Sequence, residues 1–216
     1  MTPPLVMVHG SEPVTACVIW LHGLGADGED FAPVVQALAL SAVRFVLPHA
    51  PSRPVSINGG YVMPAWYDIR SRDLSQVEDL AGLNQSRTQV AALIAEQVAA
   101  GIAPECIVLA GFSQGGATVL YSALTLDMVL AGVMVLSAYM PLQASLDLAA
   151  AHHVPVFMAH GAFDEVIPIG LAEMARDRLE QAGWPVNWHS YPMAHSICEA
   201  EIAAVRSWLV RLLRLA

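Results

Sequence analysis

Lysine is absent from this 216-residue chain, and all ten of its basic residues are arginine. That absence excludes a Ser–Lys catalytic pair, Schiff-base chemistry and a Gly-rich phosphate loop ending in Lys-Ser/Thr. Cysteine is scarce as well. Cys17, Cys106 and Cys198 are odd in number and lack metal-ligand spacing. Each has apolar neighbours, so buried, reduced thiols in a cytoplasmic protein are expected, with no metal and no cofactor. Nineteen acidic residues leave a net charge of −9, which repels nucleic-acid phosphates and argues against that partner. Long apolar runs are missing too. The longest, Met128–Met140, is broken by Gly132 and Ser137 and is too short to span a bilayer, so no integral membrane segment is expected. The opening Met1-Thr2-Pro3-Pro4 lacks a basic or apolar signal core, and no lipidation box is evident.

What is present is apolar and regularly punctuated. Hydrophobic residues make up 56% of the chain, and at this length they suffice for one α/β domain over residues 1–216. Strands are expected at Leu5–His9, Thr15–Leu21, Val43–Leu47, Cys106–Ala110, Val133–Ser137, Val154–His160 and Val186–Tyr191. Most are continuous apolar runs, as strands covered on both faces require. Helical patterns fall near Phe31–Leu40, Val77–Ala100, Ala117–Leu126, Leu171–Ala182 and Glu199–Leu213, the second with Glu78 and Asp79 on its polar face and Gly101 as its stop. This alternation implies a mostly parallel, doubly wound sheet. Pro48–Arg72 breaks the rhythm with prolines and Gly59-Gly60 among aromatics. A connection this long is usually functional or disordered. Ile57, Tyr61, Met63, Trp66 and Ile69 either line an apolar site there or pack into a satellite core; the residues alone leave both open.

Gly111-Phe112-Ser113-Gln114-Gly115 follows the apolar run Ile107–Ala110 and precedes a helical stretch. A serine at the apex of a strand-to-helix turn is the setting of a nucleophile elbow, where a strained backbone exposes the hydroxyl. Such a hydroxyl needs a base, and the base needs an orienting acid. In a parallel sheet these gather at the carboxyl ends of the strands, in the chain order Ser, acid, His. Among the acids after Ser113, only Asp164 and Glu165 sit just beyond a strand end. Asp164 is favoured over Glu165, because a shorter side chain is easier to fix beneath an imidazole. Of the five later histidines, His195 alone lies in the loop between the last strand and the last helix, and it is the expected base; His160, at a strand terminus, reads as a core or supporting residue. An oxyanion hole requires two aimed N–H groups. Gln114, directly after the serine, supplies one, and Leu24 in His22-Gly23-Leu24-Gly25 supplies the other.

Five ordered blocks then carry a resemblance: Leu21–Phe31, Pro48–Ile69, Gly111–Gly116, His160–Pro168 and Tyr191–Ile197. Over nearly its whole length the chain resembles the carboxylesterase/acyl-protein thioesterase (phospholipase/carboxylesterase) family. The resemblance implies an α/β-hydrolase fold, a mostly parallel central sheet flanked by helices on both faces, without a lid domain. It places Ser113, Asp164 and His195 as catalytic residues and Leu24 and Gln114 as oxyanion donors. It also implies that Pro48–Arg72 flanks an acyl groove, with Met63 and Trp66 chosen as its substrate-binding lining. The start lacks the lipidatable cysteine common in eukaryotic thioesterases of the family. The expectation is therefore a bacterial, cytoplasmic serine carboxylesterase for short-to-medium-chain esters, acting through an acyl-enzyme. The alternative is an acyl-protein thioesterase or lysophospholipase for long acyl chains. The partner expected is a small acyl ester or thioester, and the apolar composition is compatible with a homodimer.

Overall fold

A computed structural model describes residues 3–10, 13–71, 74 and 78–215. The first residues of the chain, the Arg72 end of the long connection and the Val77 start expected for the second helix lie outside these. Seven strands form the central sheet, in the order β1 (Leu5–Val8), β3 (Val43–Leu47), β2 (Ala16–Leu21), β6 (Ile107–Phe112), β7 (Gly132–Leu136), β8 (Val156–Gly161), β9 (Val186–Tyr191). Only β1 runs antiparallel to its neighbour; all other pairs are parallel. Every residue of β2, β7 and β8 is buried, which is why these segments read as unbroken apolar runs and not as alternating ones.

The two-residue period of a strand then splits each run between two cores. Cys17, Ile19 and Leu21 of β2 face one side, with Leu83, Val90 and Ile94 of α2 (Leu80–Ala99), Leu120 of α3 (Gln114–Thr125) and Leu179 of α4 (Ile169–Gln181) in the same cluster. Val18 and Trp20 face the other, clustered with Val35 and Leu38 of α1 (Ala32–Leu38) and with Val205, Trp208 and Leu209 of α5 (Glu199–Leu212). The chain thus has the α/β-hydrolase architecture, a mostly parallel sheet sandwiched between helices.

Three expectations need correction. Glu78 and Asp79 precede α2 and do not lie on its polar face; Asp79 is the residue at its N-cap position. The third helix begins at Gln114, directly behind the serine, because two glycines keep that turn slim enough to start helix at once. The long connection also contains structure of its own. Its β4 (Ser52–Val55) and β5 (Tyr61–Pro64) form an antiparallel hairpin apart from the main sheet. Prolines at 54 and 64 are tolerated there because each strand has a free edge. Of the cysteines, Cys17 is buried and its thiol is pushed up to about 12 by desolvation, while Cys106 and Cys198 are only partly buried.

Candidate active site

The site assembles at the carboxyl ends of β2, β6 and β8 and the loop after β9. Ser113 sits between β6 and α3 with φ 54° and ψ −121°, a left-handed region that a side-chain-bearing residue occupies only under strain. Its neighbours permit that geometry. A Cβ on Gly115 would collide with the carbonyl oxygens of Leu21 and His22, so only glycine lets the start of α3 lie against the end of β2. A comparable contact serves the loop carrying the histidine. A Cβ on Gly161 would strike the carbonyls of Met193 and Ala194, so the bare backbone at the end of β8 admits the Tyr191–His195 turn.

The structure brings together the three side chains singled out from the sequence. His195 Nε2 lies 2.9 Å from Ser113 Oγ, and His195 Nδ1 lies 2.7 Å from Asp164 Oδ2. Asp164 is buried, and its Oδ1 accepts the backbone N–H groups of Val166 and Ile167, both at 2.9 Å. Glu165 lines a cavity beside Ser113 and makes no hydrogen bond or ion pair with His195 among the described residues. With the carboxylate accepting a hydrogen bond from Nδ1–H, the imidazole is left with Nε2 free to accept from the serine hydroxyl. The N–H groups of Leu24 and Gln114 have no hydrogen-bond partner among the described residues, and both residues line the space beside Ser113. Such unpaired donors are what an oxyanion requires.

Two further histidines support the site: His22, which went unassigned in the sequence, and His160, expected there as a core or supporting residue. His22 is fully buried, and burial lowers its pKa, so it is neutral. Its Nδ1–H donates to the carbonyl of Gly23 at 2.7 Å, and its Nε2 accepts the N–H of Ala50 at 3.0 Å. That pins the Gly23-Leu24 turn. His160, also fully buried and held neutral by desolvation, donates from Nε2 to the carbonyl of Ile167 at 2.8 Å and lies 3.3 Å from Asp164 Oδ2. The Gln114 side chain does a separate job from its backbone. Its Oε1 accepts from Trp66 N–H at 2.9 Å, and its Nε2 donates to the Tyr67 carbonyl at 2.7 Å. The one available signal was position: His22 opens the glycine turn, and His160 stands four residues before Asp164.

Two cavities open beside Ser113. One, of about 540 Å³, is lined by Ile57, Tyr67, Ile69, Leu74, Tyr139 and Ile167 among others. The Tyr67 and Tyr139 hydroxyls are 2.7 Å apart, and burial pushes both pKa values up, Tyr139 to about 12, so the pair stays neutral. The other, of about 480 Å³, includes Phe31, Val34, Phe112, His195 and Ile197. The lining choices Met63 and Trp66 need correction, since neither borders these cavities. Trp66 is only 1% exposed; its indole N–H donates to the His22 carbonyl at 2.8 Å, and its own carbonyl accepts the Ser86 hydroxyl. Met63 instead takes an N–H from the Asn58 side chain. Within this segment it is Ile57, Asn58, Tyr67 and Ile69 that face the serine. Among the described residues no group of His, Cys, Asp and Glu is arranged to hold a metal ion.

Known proteins share this arrangement of sequence and fold. Acyl-protein thioesterase 1 of Neurospora crassa is 41% identical over 96% of this chain and 90% of its own length. The structure of SOBER1 from Arabidopsis thaliana superposes with a TM-score of 0.85 at 28% identity, covering 93% of this chain and all of that one. Esterase PE8 gives a TM-score of 0.83 at 26% identity, over 98% and 99% of the two chains. The fungal and plant proteins among them lend no support to the expected bacterial origin. With residues 3–213 matching the family's pattern, the chain belongs to the phospholipase/carboxylesterase family of α/β-hydrolases.

Proposed function

We propose that this chain is a serine hydrolase that cleaves acyl thioesters and esters through an acyl-enzyme, with S-acylated protein cysteines as its leading substrate class. The reading is carried by the Ser113–His195–Asp164 line, with hydrogen bonds of 2.9 and 2.7 Å, opening onto an apolar cavity beside two unpaired N–H groups. Ser113 attacks the acyl carbonyl while His195 takes its proton, and Asp164 holds the imidazole tautomer and balances the imidazolium charge. The N–H groups of Leu24 and Gln114 receive the oxyanion, each worth about 3–4 kcal/mol of barrier. Collapse expels the thiol or alcohol, protonated by His195. Water then repeats the sequence on the acyl-enzyme.

The similarity to an acyl-protein thioesterase supports the thioester side of this reading. The first cavity supports a sizeable acyl group, because about 540 Å³ falls in the range of roughly 300–1,000 Å³ that encloses a sizeable ligand, and its walls are mainly apolar. A second reading, a carboxylesterase for short-to-medium esters, is favoured by the likeness to esterase PE8. Among the described residues no helix is long and apolar enough to cross a membrane.

A chain-length series from acetyl to palmitoyl, run as matched thioesters and p-nitrophenyl esters beside Ser113→Ala, tests the proposal. Rising kcat/KM beyond octanoyl with thioesters supports the leading reading. A maximum at acetyl or butyryl esters replaces it with the carboxylesterase. Full activity in Ser113→Ala would overturn both.

A further inference from the structure

The two cavities at Ser113 differ in one respect that bears on chemistry: His195 lines the smaller and is absent from the lining of the larger. Around the tetrahedral carbon, one bond goes to Ser113 Oγ and the oxyanion faces the N–H groups of Leu24 and Gln114. Two directions remain. The leaving sulfur or oxygen must lie within hydrogen-bond reach of His195 Nε2 to receive its proton as the C–S or C–O bond breaks and the electron pair departs. It therefore exits on the His195 side, and the acyl chain takes the other.

We infer that the cavity bounded by Phe31, Val34, Phe112, Asp30 and Ile197 is the leaving-group site and that it selects apolar, uncharged or cationic leaving groups over anionic ones; this rests on the hydrolase reading above. Its walls are built, not incidental. The rings of Phe31 and Phe112 lie 6.1 Å apart between centroids, and Phe112 packs 4.8 Å from the His195 ring. An aromatic wall thus continues from the base outward. Among the described residues no arginine lines the cavity, and the chain has no lysine to reach into it. Asp30 is the one carboxylate among the lining residues. Asp30 is fixed, because its Oδ2 accepts the Asp27 N–H at 3.0 Å while Asp27 Oδ1 accepts from Glu29 at 2.8 Å. Asp27, Glu29 and Asp30 are all exposed at this turn and have no ion pair among the described residues. A phosphate-bearing leaving group, such as a lysophospholipid headgroup or a nucleotide thiol, would meet uncompensated negative charge here. A cysteine in a neutral or basic peptide would meet apolar walls and a favourable field.

The test holds the acyl group at octanoyl and varies the thiol: N-acetylcysteine amide, an Arg-Cys amide and N-acetylcysteine carboxylate. The expected order of kcat/KM is cationic, then neutral, then anionic. About fivefold should separate the extremes at low salt, in keeping with a single exposed charge pair. This spread should shrink as ionic strength rises and the screening length falls to about 8 Å. Asp30→Asn keeps an oxygen for the Asp27 N–H and is expected to narrow the cationic-to-anionic ratio; Asp30→Arg is expected to invert it. Val34→Trp should depress kcat/KM for the peptide thioester relative to the methyl ester of the same acid. Equal rates for all three thiols, or ratios indifferent to Asp30, would overturn the inference while leaving the hydrolase reading intact. No turnover of any of them, or turnover undiminished in Ser113→Ala, would instead sink that reading.

Discussion

His160 Nε2 lies 3.3 Å from Asp164 Oδ2, the same oxygen that accepts the Nδ1–H of His195 at 2.7 Å. One carboxylate oxygen is thus flanked by two imidazoles, one facing the serine and one buried behind it. The rear imidazole is neutral, since burial lowers its pKa, and its Nε2–H donates to the Ile167 carbonyl while lying against Asp164. It acts by positioning, through the acid. His160→Phe is expected to lower kcat about tenfold, the equivalent of roughly 1.4 kcal/mol, with KM little changed. His160→Asn retains an N–H and should recover part of the loss, which a purely space-filling role would not predict. By comparison, Asp164→Asn should cost on the order of 10⁴ in kcat, because the wrong imidazole tautomer is then held. Glu165→Gln should cost far less; a reversed order would reassign the acid.

A second prediction concerns Gln114, whose backbone and side chain serve different ends. Gln114→Ala keeps the oxyanion N–H but releases the two hydrogen bonds that hold Trp66 and Tyr67. Both are buried, so the freed Trp66 N–H and Tyr67 carbonyl are left unsatisfied, at about 1–3 kcal/mol each. The melting temperature should fall by several degrees. The long-chain to short-chain ratio of kcat/KM should fall with it, since Tyr67 lines the acyl cavity. An unchanged chain-length profile would show that the clamp is structural only.

Much of this site was legible because chain order carries it. A glycine-flanked serine between an apolar run and a helix, an aspartate just past the end of β8 and a histidine before the last helix leave few alternatives. The sheet was legible because β2, β7 and β8 are buried on both faces. The hairpin at Ser52–Pro64 was not, because its prolines and Gly59-Gly60 mask strand character in a segment that pairs only with itself. The groove lining failed at a finer level. Trp66 and Tyr67 are adjacent, yet one turns into the core under the His22 carbonyl and the other toward Ser113. Composition cannot say which of two neighbouring aromatics faces a cavity. His22 was passed over for a related reason, since its role comes from backbone partners that only the folded chain brings near, and His160 could be read no further than core or supporting.

Gly161 offers a third test. Any Cβ there meets the carbonyls of Met193 and Ala194, one residue from His195. Gly161→Ala should push that loop away from Asp164. A displacement near 1 Å can cost about a hundredfold in rate. Turnover should fall by that order, more than any decrease in folded fraction by circular dichroism accounts for. Activity near that of the parent chain would mean the loop has room to spare.

The fourth prediction is one of pH. Glu201, in the first turn of α5, is fully buried with neither carboxylate oxygen in a well-formed hydrogen bond. Burial raises its pKa from 4.5 to about 7, against a smaller opposing pull from the Cys198 backbone. Because the folded value is the higher one, the folded state binds this proton more tightly. Its stabilising contribution is complete below about pH 4.5, the unfolded value, and is lost as pH rises through about 7. The loss is on the order of 3 kcal/mol. Glu201→Gln mimics the protonated form, so it should raise the melting temperature at pH 8 and change it little at pH 4.5. Equal shifts at both pH values would contradict the assignment.

The central claim is that Ser113 is the nucleophile and that His195 makes it one. Intact-mass spectrometry after brief exposure to a fluorophosphonate addresses it most directly. The account predicts one adduct, mapping to the peptide that contains Ser113, absent in Ser113→Ala and formed far more slowly in His195→Ala. An adduct on another residue, or labelling at an undiminished rate without the imidazole, would contradict it.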